Sequence, residues 1–230
     1  MSNIAIITAR GGSKRIPKKN IKTFCGKPII AYSIESALGA AIFDEVMVST
    51  DSKEIAKIAK KYGAKVPFMR SEQTSNDYAT TNDVLKEVLW CYKNNGYFFD
   101  YMCCIYPPAP FVTGEKLKKA FDMLCNSKAD CVMPVTTFSF PPLRGQIINA
   151  EGFLKYKWPE NQNKRSQDLD AIFHDAGQFY FYKASVIYEG IKPTEIKTKP
   201  IVVSDLEVQD IDNLEDWEIA EMKYKLMIGK

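Results

Sequence analysis

The stretch Ala9–Asn20, ARGGSKRIPKKN, puts two adjacent glycines and five basic residues into twelve positions with no acid among them. A loop of that kind turns backbone N–H groups and cationic side chains toward one polyanion. Gly11 and Gly12 permit positive φ and close approach, while Arg10, Lys14, Arg15, Lys18 and Lys19 can surround several phosphates, with Pro17 stiffening the loop. The pattern is neither G-x-x-x-x-G-K-[ST] nor G-x-G-x-x-G, so the P-loop and the dinucleotide fingerprint do not apply. Near the other end, EVQDIDN sets Asp210 and Asp212 two residues apart. In an extended segment both carboxylates project to one side and Ile211 points inward. Such a pair suits Mg²⁺, a hard ion that bridges a few carboxylates to substrate phosphates. Alone, the loop also reads as solvated surface and D-I-D as a polar turn. Together they ask for a phosphate-bearing ligand and a metal.

These residues need a frame, and the chain supplies one. NIAIIT (3–8) reads as a buried strand, PIIAYSIESALGA (28–40) as a helix and DEVMVST (44–50) as a second strand. SKEIAKIAKKYG follows as a helix stopped by Gly63, and AKVPFM as a third strand before a polar loop. TNDVLKEVLWCYKNNG and TGEKLKKAFDMLCNS read as helices that alternate with the strands DYMCCIY and DCVMPVT. Helices between buried strands imply crossovers, hence a doubly wound α/β domain with a mostly parallel sheet covered on both faces. One domain over 1–230 is expected. The basic loop then lies at the carboxyl end of the first strand, where open parallel sheets bind ligands. Alternation breaks at Thr137, and 137–171 reads as a β-rich excursion. GQFYFY and PIVVSD return to strand character, and NLEDWEIAEMKYKLM closes the chain as an amphipathic helix.

Composition narrows the function. A net charge of +3 is too small for general nucleic-acid binding, and no apolar run approaches the ~18 residues of a membrane helix. IAIIT is too short for a signal-peptide core, so a cytoplasmic protein is expected, its six cysteines reduced and buried. A single histidine, His174, argues against His-rich zinc sites and a Ser-His-Asp triad, and no general base is evident.

ARGGSKRIPKKN, GKPIIAYSIESAL, VSTDSKEIAKIAKKYGA, APF and QDIDN, in that order and spacing, resemble the cytidylyltransferases that activate nine-carbon sialic-acid-type sugars. The resemblance covers nearly the whole chain, and CCIYPPAPF and HDAGQFYF bring it nearest the pseudaminic acid branch. It implies a Rossmann-like nucleotidyltransferase fold whose excursion is a dimerisation arm, hence a homodimer. The implied reaction joins CTP and a 2-keto nonulosonic acid into a CMP-sugar, with pyrophosphate released, for surface glycan or protein glycosylation. N-acetylneuraminic and legionaminic acids stay open as substrates, as does a non-catalytic nucleotide-binding homologue. By position, Arg10, Lys14 and Lys19 match triphosphate-binding residues within a nucleotide-binding stretch Ala9, Arg10, Gly11, Gly12 and Ser13. Asn20 matches a contact to the cytidine end or α-phosphate, and Asp210 and Asp212 match the Mg²⁺ pair. Arg70 and Thr81 resemble cytidine contacts. Arg165 resembles the arginine expected for the sugar carboxylate, and Gln178 and Phe179 fall where the sugar pocket is lined. Tyr106 stands where sialic acid synthetases carry glutamine. Tyr180 and Tyr182 are expected to pack rather than touch ligand.

Overall fold

A computed structural model describes residues 1–229, apart from the side chain of Pro193. The elements run β1 (Asn3–Thr8), β2 (Thr23–Phe24), β3 (Lys27–Pro28), α1 (Ile29–Ala40), β4 (Glu45–Ser49), α2 (Lys53–Lys61), α3 (Glu72–Ser75), α4 (Thr81–Asn94) and β5 (Tyr101–Ile105). They continue α5 (Gly114–Cys125), β6 (Cys131–Thr137), β7 (Gln146–Ile148), β8 (Leu154–Tyr156), β9 (Phe173–Asp175), β10 (Phe179–Lys183), α6 (Ala184–Tyr188), β11 (Thr198–Val202) and α7 (Leu214–Met227).

Seven strands form the central sheet in the order β11-β6-β10-β5-β1-β4, with β9 pairing β6 as well. β4, β1, β5, β6 and β11 run one way, and β9 and β10 run against them. The sheet is therefore mostly parallel, as the crossovers predict. Strict alternation sorts each strand between two cores. Ala5 and Ile7 of β1, with Cys103 and Ile105 of β5, meet Ile30 and Ile34 of α1 and Leu117 of α5. Ile4, Ile6, Met102 and Cys104 face the opposite way, onto Leu85, Val88 and Leu89 of α4 and Ile187 of α6.

AKVPFM does not form a strand. Only Lys65 joins β4, through an isolated bridge to Met47. Pro67 follows, and a proline has no N–H to extend the ladder. The expected strand at 177–182 begins at Phe179, because Gly177 takes φ +62° and breaks the line between β9 and β10. The excursion is β-rich only locally, as the short β7–β8 hairpin among turns. All six cysteines are unpaired; Cys103, Cys104 and Cys131 are buried, but Cys125 is exposed. No helix among the described residues is long and apolar enough to cross a membrane.

Candidate active site

β1 lies between β4 and β5, and the carboxyl ends of all three open on one edge of the sheet. The basic loop leaves there. Ala9, fully buried, ties it to β4 through its N–H to the Ser49 carbonyl at 2.9 Å, and the Gly11 N–H donates to Asp51 Oδ1 at 2.7 Å. Neither Gly11 nor Gly12 uses the positive φ that glycine permits. Gly11 serves close approach instead, since a Cβ there would stand 3.1 Å from the Ser52 Cβ. Lys18 is the residue in the left-handed region, at φ +55°. That turn sends its ammonium to Glu54 at 2.7 Å, away from the other cations, and swings Lys19 inward.

The loop and the aspartate pair converge. Lys19 Nζ donates to the Ile211 carbonyl at 2.7 Å and stands 3.9 Å from Asp212 Oδ1, while Arg15 Nη2 donates to Asp212 Oδ1 at 2.6 Å. The cause is apolar. Ile16 within the basic loop and Ile211 between the aspartates are 2% and 1% exposed, and both sit in one cluster with Phe24, Phe111 and Trp217. Burying each isoleucine contributes about 1.5–3 kcal/mol and draws its polar neighbours together. The capping box of α7 completes the placement, Asp216 Oδ2 accepting from the N–H groups of Asp212 and Asn213 at 2.9 and 3.0 Å. Burial pushes the Lys19 ammonium down from the ordinary lysine value, although Asp212 and Asp210 pull it up.

A cavity of ≈ 520 Å³ opens against this cationic wall. Arg10, Ser13, Lys14, Arg15, Lys19 and Asn20 line it from the loop, and Arg70, Thr80 and Thr81 from across the cleft. Asn20, 6% exposed, donates through Nδ2 to the Arg10 carbonyl at 2.9 Å, which fixes the loop's curvature. Arg70 is also buried, and its guanidinium holds Ser49 Oγ at 3.0 Å and the Ser49 carbonyl at 2.6 Å. Desolvation lowers its pKa. Tyr106, with Pro107 and Pro108, forms the third side and separates this space from a second cavity of ≈ 340 Å³. The second cavity has Leu85, Ile187, Ile191 and Ile196 for walls and the hydroxyl-bearing Thr81, Tyr106, Tyr180 and Tyr182 among its lining.

Eight predicted site residues line neither cavity: Ala9, Gly11 and Gly12, which shape the loop's backbone; Asp210 and Asp212, the latter in contact with the lining residues Arg15 and Lys19; and Phe179, Gln178 and Arg165. Phe179 is fully buried in the core on the α1–α5 face, because alternation along β10 sends Phe179 and Phe181 there and Tyr180 and Tyr182 to the second cavity. Tyr180 and Tyr182 pack against the α4–α6 core, as expected, and also line the second cavity. Gln178 is 3% exposed and lines neither cavity; its Nε2 donates to the Glu207 carbonyl. Arg165 is exposed on the excursion, paired with Asp168 at 2.8 Å, and also lines neither cavity. His174, on β9, lines neither cavity and packs its ring at a tilt against Phe138, centroids 4.8 Å apart.

One residue went unread. Asp77 spans Arg10 Nη1 at 2.8 Å and Lys14 Nζ at 2.5 Å, and hydrogen bonds from Lys14 and Arg10 hold its carboxyl below the usual range. The signal was the acid-free loop itself, whose charge some other segment must offset. Asp210 and Asp212 carry the chemistry of a divalent-cation site, with Asp210 exposed, Asp212 half-buried and Ile211 turned inward as predicted. Among the described residues no group of three or more His, Cys, Asp or Glu could hold a metal, so ligand oxygens and water must complete any shell here.

A cationic loop at the carboxyl edge of a mostly parallel sheet, lining a cavity of ≈ 520 Å³ and in direct contact with a carboxylate pair, fits a nucleotidyltransferase. The chain belongs to the cytidylyltransferase family, whose profile matches residues 4–217. It is 40% identical over 227 residues to a pseudaminic acid cytidylyltransferase of Campylobacter jejuni, covering 98% of this chain and 97% of that one. It is 32% identical to the CMP-N,N'-diacetyllegionaminic acid synthase of Legionella pneumophila, covering 98% and 97%. The fold superposes on a CMP:2-keto-3-deoxy-manno-octonic acid synthetase complexed with CTP, at a TM-score of 0.70 and 19% identity, covering 100% of this chain and 99% of that one.

Proposed function

We propose that the protein transfers CMP from CTP to the anomeric hydroxyl of a nine-carbon 2-keto sugar acid, pseudaminic acid in the first instance, releasing pyrophosphate. The observation that supports this reading is the contact of Lys19 and Arg15 with the Ile211–Asp212 segment, which sets the cations of the basic loop beside the carboxylate pair. The 40% identity to a pseudaminic acid cytidylyltransferase supports the choice of sugar.

In this reading the triphosphate lies along Arg10, Lys14 and Lys19, displacing Asp77 from the first two. Ser13 and the backbone from Ala9 to Gly12 border it. Asn20, Arg70 and Thr81 border the cytidine. The acceptor enters from the Tyr106 side, its substituents in the second cavity, whose apolar walls suit methyl and acetamido groups and whose hydroxyls suit polar ones. In-line attack on the α-phosphorus then needs position and charge neutralisation above all, and Lys19 offsets charge on the departing pyrophosphate. Asp210 and Asp212 would hold Mg²⁺, which when bound lowers repulsion between nucleophile and phosphate.

The excursion carries exposed apolar side chains, among them Phe140, Ile148, Phe153 and Leu154, each 64–72% exposed. Their density suits a homodimer in which this arm covers a second copy and Arg165 reaches the partner's acceptor cavity. Light scattering at micromolar concentration tests the dimer, and a 26.1 kDa species alone would remove it. The function is tested by incubating the protein with CTP, Mg²⁺ and a panel of pseudaminic, legionaminic and N-acetylneuraminic acids while pyrophosphate is measured. Highest kcat/KM with pseudaminic acid is the expected result. Nucleotide binding without release under every condition would overturn it.

A further inference from the structure

The aspartate pair follows a short turn, 205–207, that three separate elements grip. Lys223 of α7 donates to the Val208 carbonyl at 2.7 Å and the Asp205 carbonyl at 3.1 Å. Lys116 of α5 pairs with Glu207 Oε1 at 2.6 Å and also donates to the Phe111 carbonyl at 2.9 Å. The third grip comes from Gln178, whose Nε2 donates to the Glu207 carbonyl. Val208, packed with Ala176 and Val203, then leads within two residues to Asp210.

Gln178 does more than hold the turn. Its own carbonyl accepts the Tyr106 N–H at 2.9 Å, and Tyr106 lines both cavities. One residue thus bonds the wall between the two cavities with its backbone and the aspartate-bearing segment with its side chain. The break at Gly177, φ +62°, turns the chain so that both bonds form. Among the described residues Gln178 Oε1 is buried without a hydrogen-bond partner. Burying half an amide unsatisfied costs stability that an apolar side chain of similar length would not incur. What the amide supplies in exchange is the bond to Glu207.

We infer that Gln178 is a positioning residue that sets the separation between the Asp210–Asp212 pair and the Tyr106 wall, keeping the metal-binding and acceptor halves in register. This rests on the functional reading above for the roles of those halves. Gln178 lines neither cavity. Its effect passes through the 205–208 turn.

The test is Gln178→Leu in the full-length protein, with Lys223→Met as a second variant on the surface of the same turn and Lys223→Arg as its conservative counterpart. Amide hydrogen exchange over 205–212 is measured without metal, Mn²⁺ binding by electron paramagnetic resonance with CTP present, and pyrophosphate release as a function of Mg²⁺. Exchange in that segment is expected to rise at least tenfold and the half-saturating metal concentration at least fivefold in Gln178→Leu, with kcat at saturating metal within threefold of the parent. Lys223→Met should move the same readouts less, and Lys223→Arg should restore them. Unchanged exchange and metal binding in a folded Gln178→Leu protein would overturn the inference, as would a loss of kcat with an unaltered metal requirement. If Gln178→Leu does not fold, Lys223→Met decides by the same criteria. Should the parent release no pyrophosphate with any sugar acid, the functional reading fails on its own, while exchange and Mn²⁺ binding still judge the positioning role.

Discussion

Replacing Lys19 by methionine tests the centre of the proposed mechanism. The side chain is 22% exposed, its ammonium 2.7 Å from the Ile211 carbonyl and 3.9 Å from Asp212. A unit charge about 4 Å from a phosphate in a medium of effective dielectric ~20 is worth about 4 kcal/mol, and removing one such donor from a charge-developing site lowers kcat about 10²–10³-fold. The fold loses much less. Methionine fills the same space, the ammonium is already disfavoured by burial, and one hydrogen bond to a carbonyl contributes about 1–2 kcal/mol. For a chain of this size that lowers Tm by roughly 2–8 °C. The assay is pyrophosphate release at saturating CTP, Mg²⁺ and pseudaminic acid, beside a thermal melt, with Lys19→Arg retaining part of the rate. A folded Lys19→Met protein within threefold of the parent kcat would show that this cation does not meet the reacting phosphates.

Asp212→Asn should cost at least about 100-fold in kcat and raise the metal requirement, since it weakens both the carboxylate pair and the contact to Arg15. An unaltered metal titration would count against Asp212 as a ligand. Gly114→Ala should destabilise by about 2 kcal/mol, a fall in Tm of roughly 4–8 °C, because the new Cβ would stand 2.9 Å from the Ala40 backbone nitrogen where α5 meets α1; an unmoved melt would contradict that close approach. Burial works to raise the Glu87 pKa, but hydrogen bonds from Thr74 and from the Ser71 amide and hydroxyl outweigh it and leave the net value below 4.5. A depressed carboxylate pKa stabilises above the unfolded value and loses that contribution as pH falls through the folded one. Ser71 and α3 should therefore become more susceptible to limited proteolysis at acid pH below about 4.5, and Glu87→Gln should remove that step; equal susceptibility in parent and variant across the range would refute it.

Much of the frame was legible along the chain because its causes are local. Period-2 and period-3.6 apolar patterns mark β1, β4, β5 and β6 and the helices between them. Pattern strength misled where one residue overrode it. AKVPFM reads as a strand yet contains Pro67, and GQFYFY begins with a glycine whose φ of +62° moves the strand start to Phe179.

The sequence by itself determined the two charged motifs, the order of the sheet-forming segments and the inward turn of Ile211, since each follows from residue type and spacing over a few positions. Tertiary structure alone decided that residues 15–19 and 210–212 meet, because their attraction runs through the shared burial of Ile16 and Ile211 beneath Phe24 and Trp217. It also decided that Asp77 lies across Arg10 and Lys14, that Lys18 turns to Glu54, and that Gln178 grips the 205–207 turn. These contacts join positions 29 to 197 residues apart, set by where the chain crosses over the sheet, and no local pattern records them.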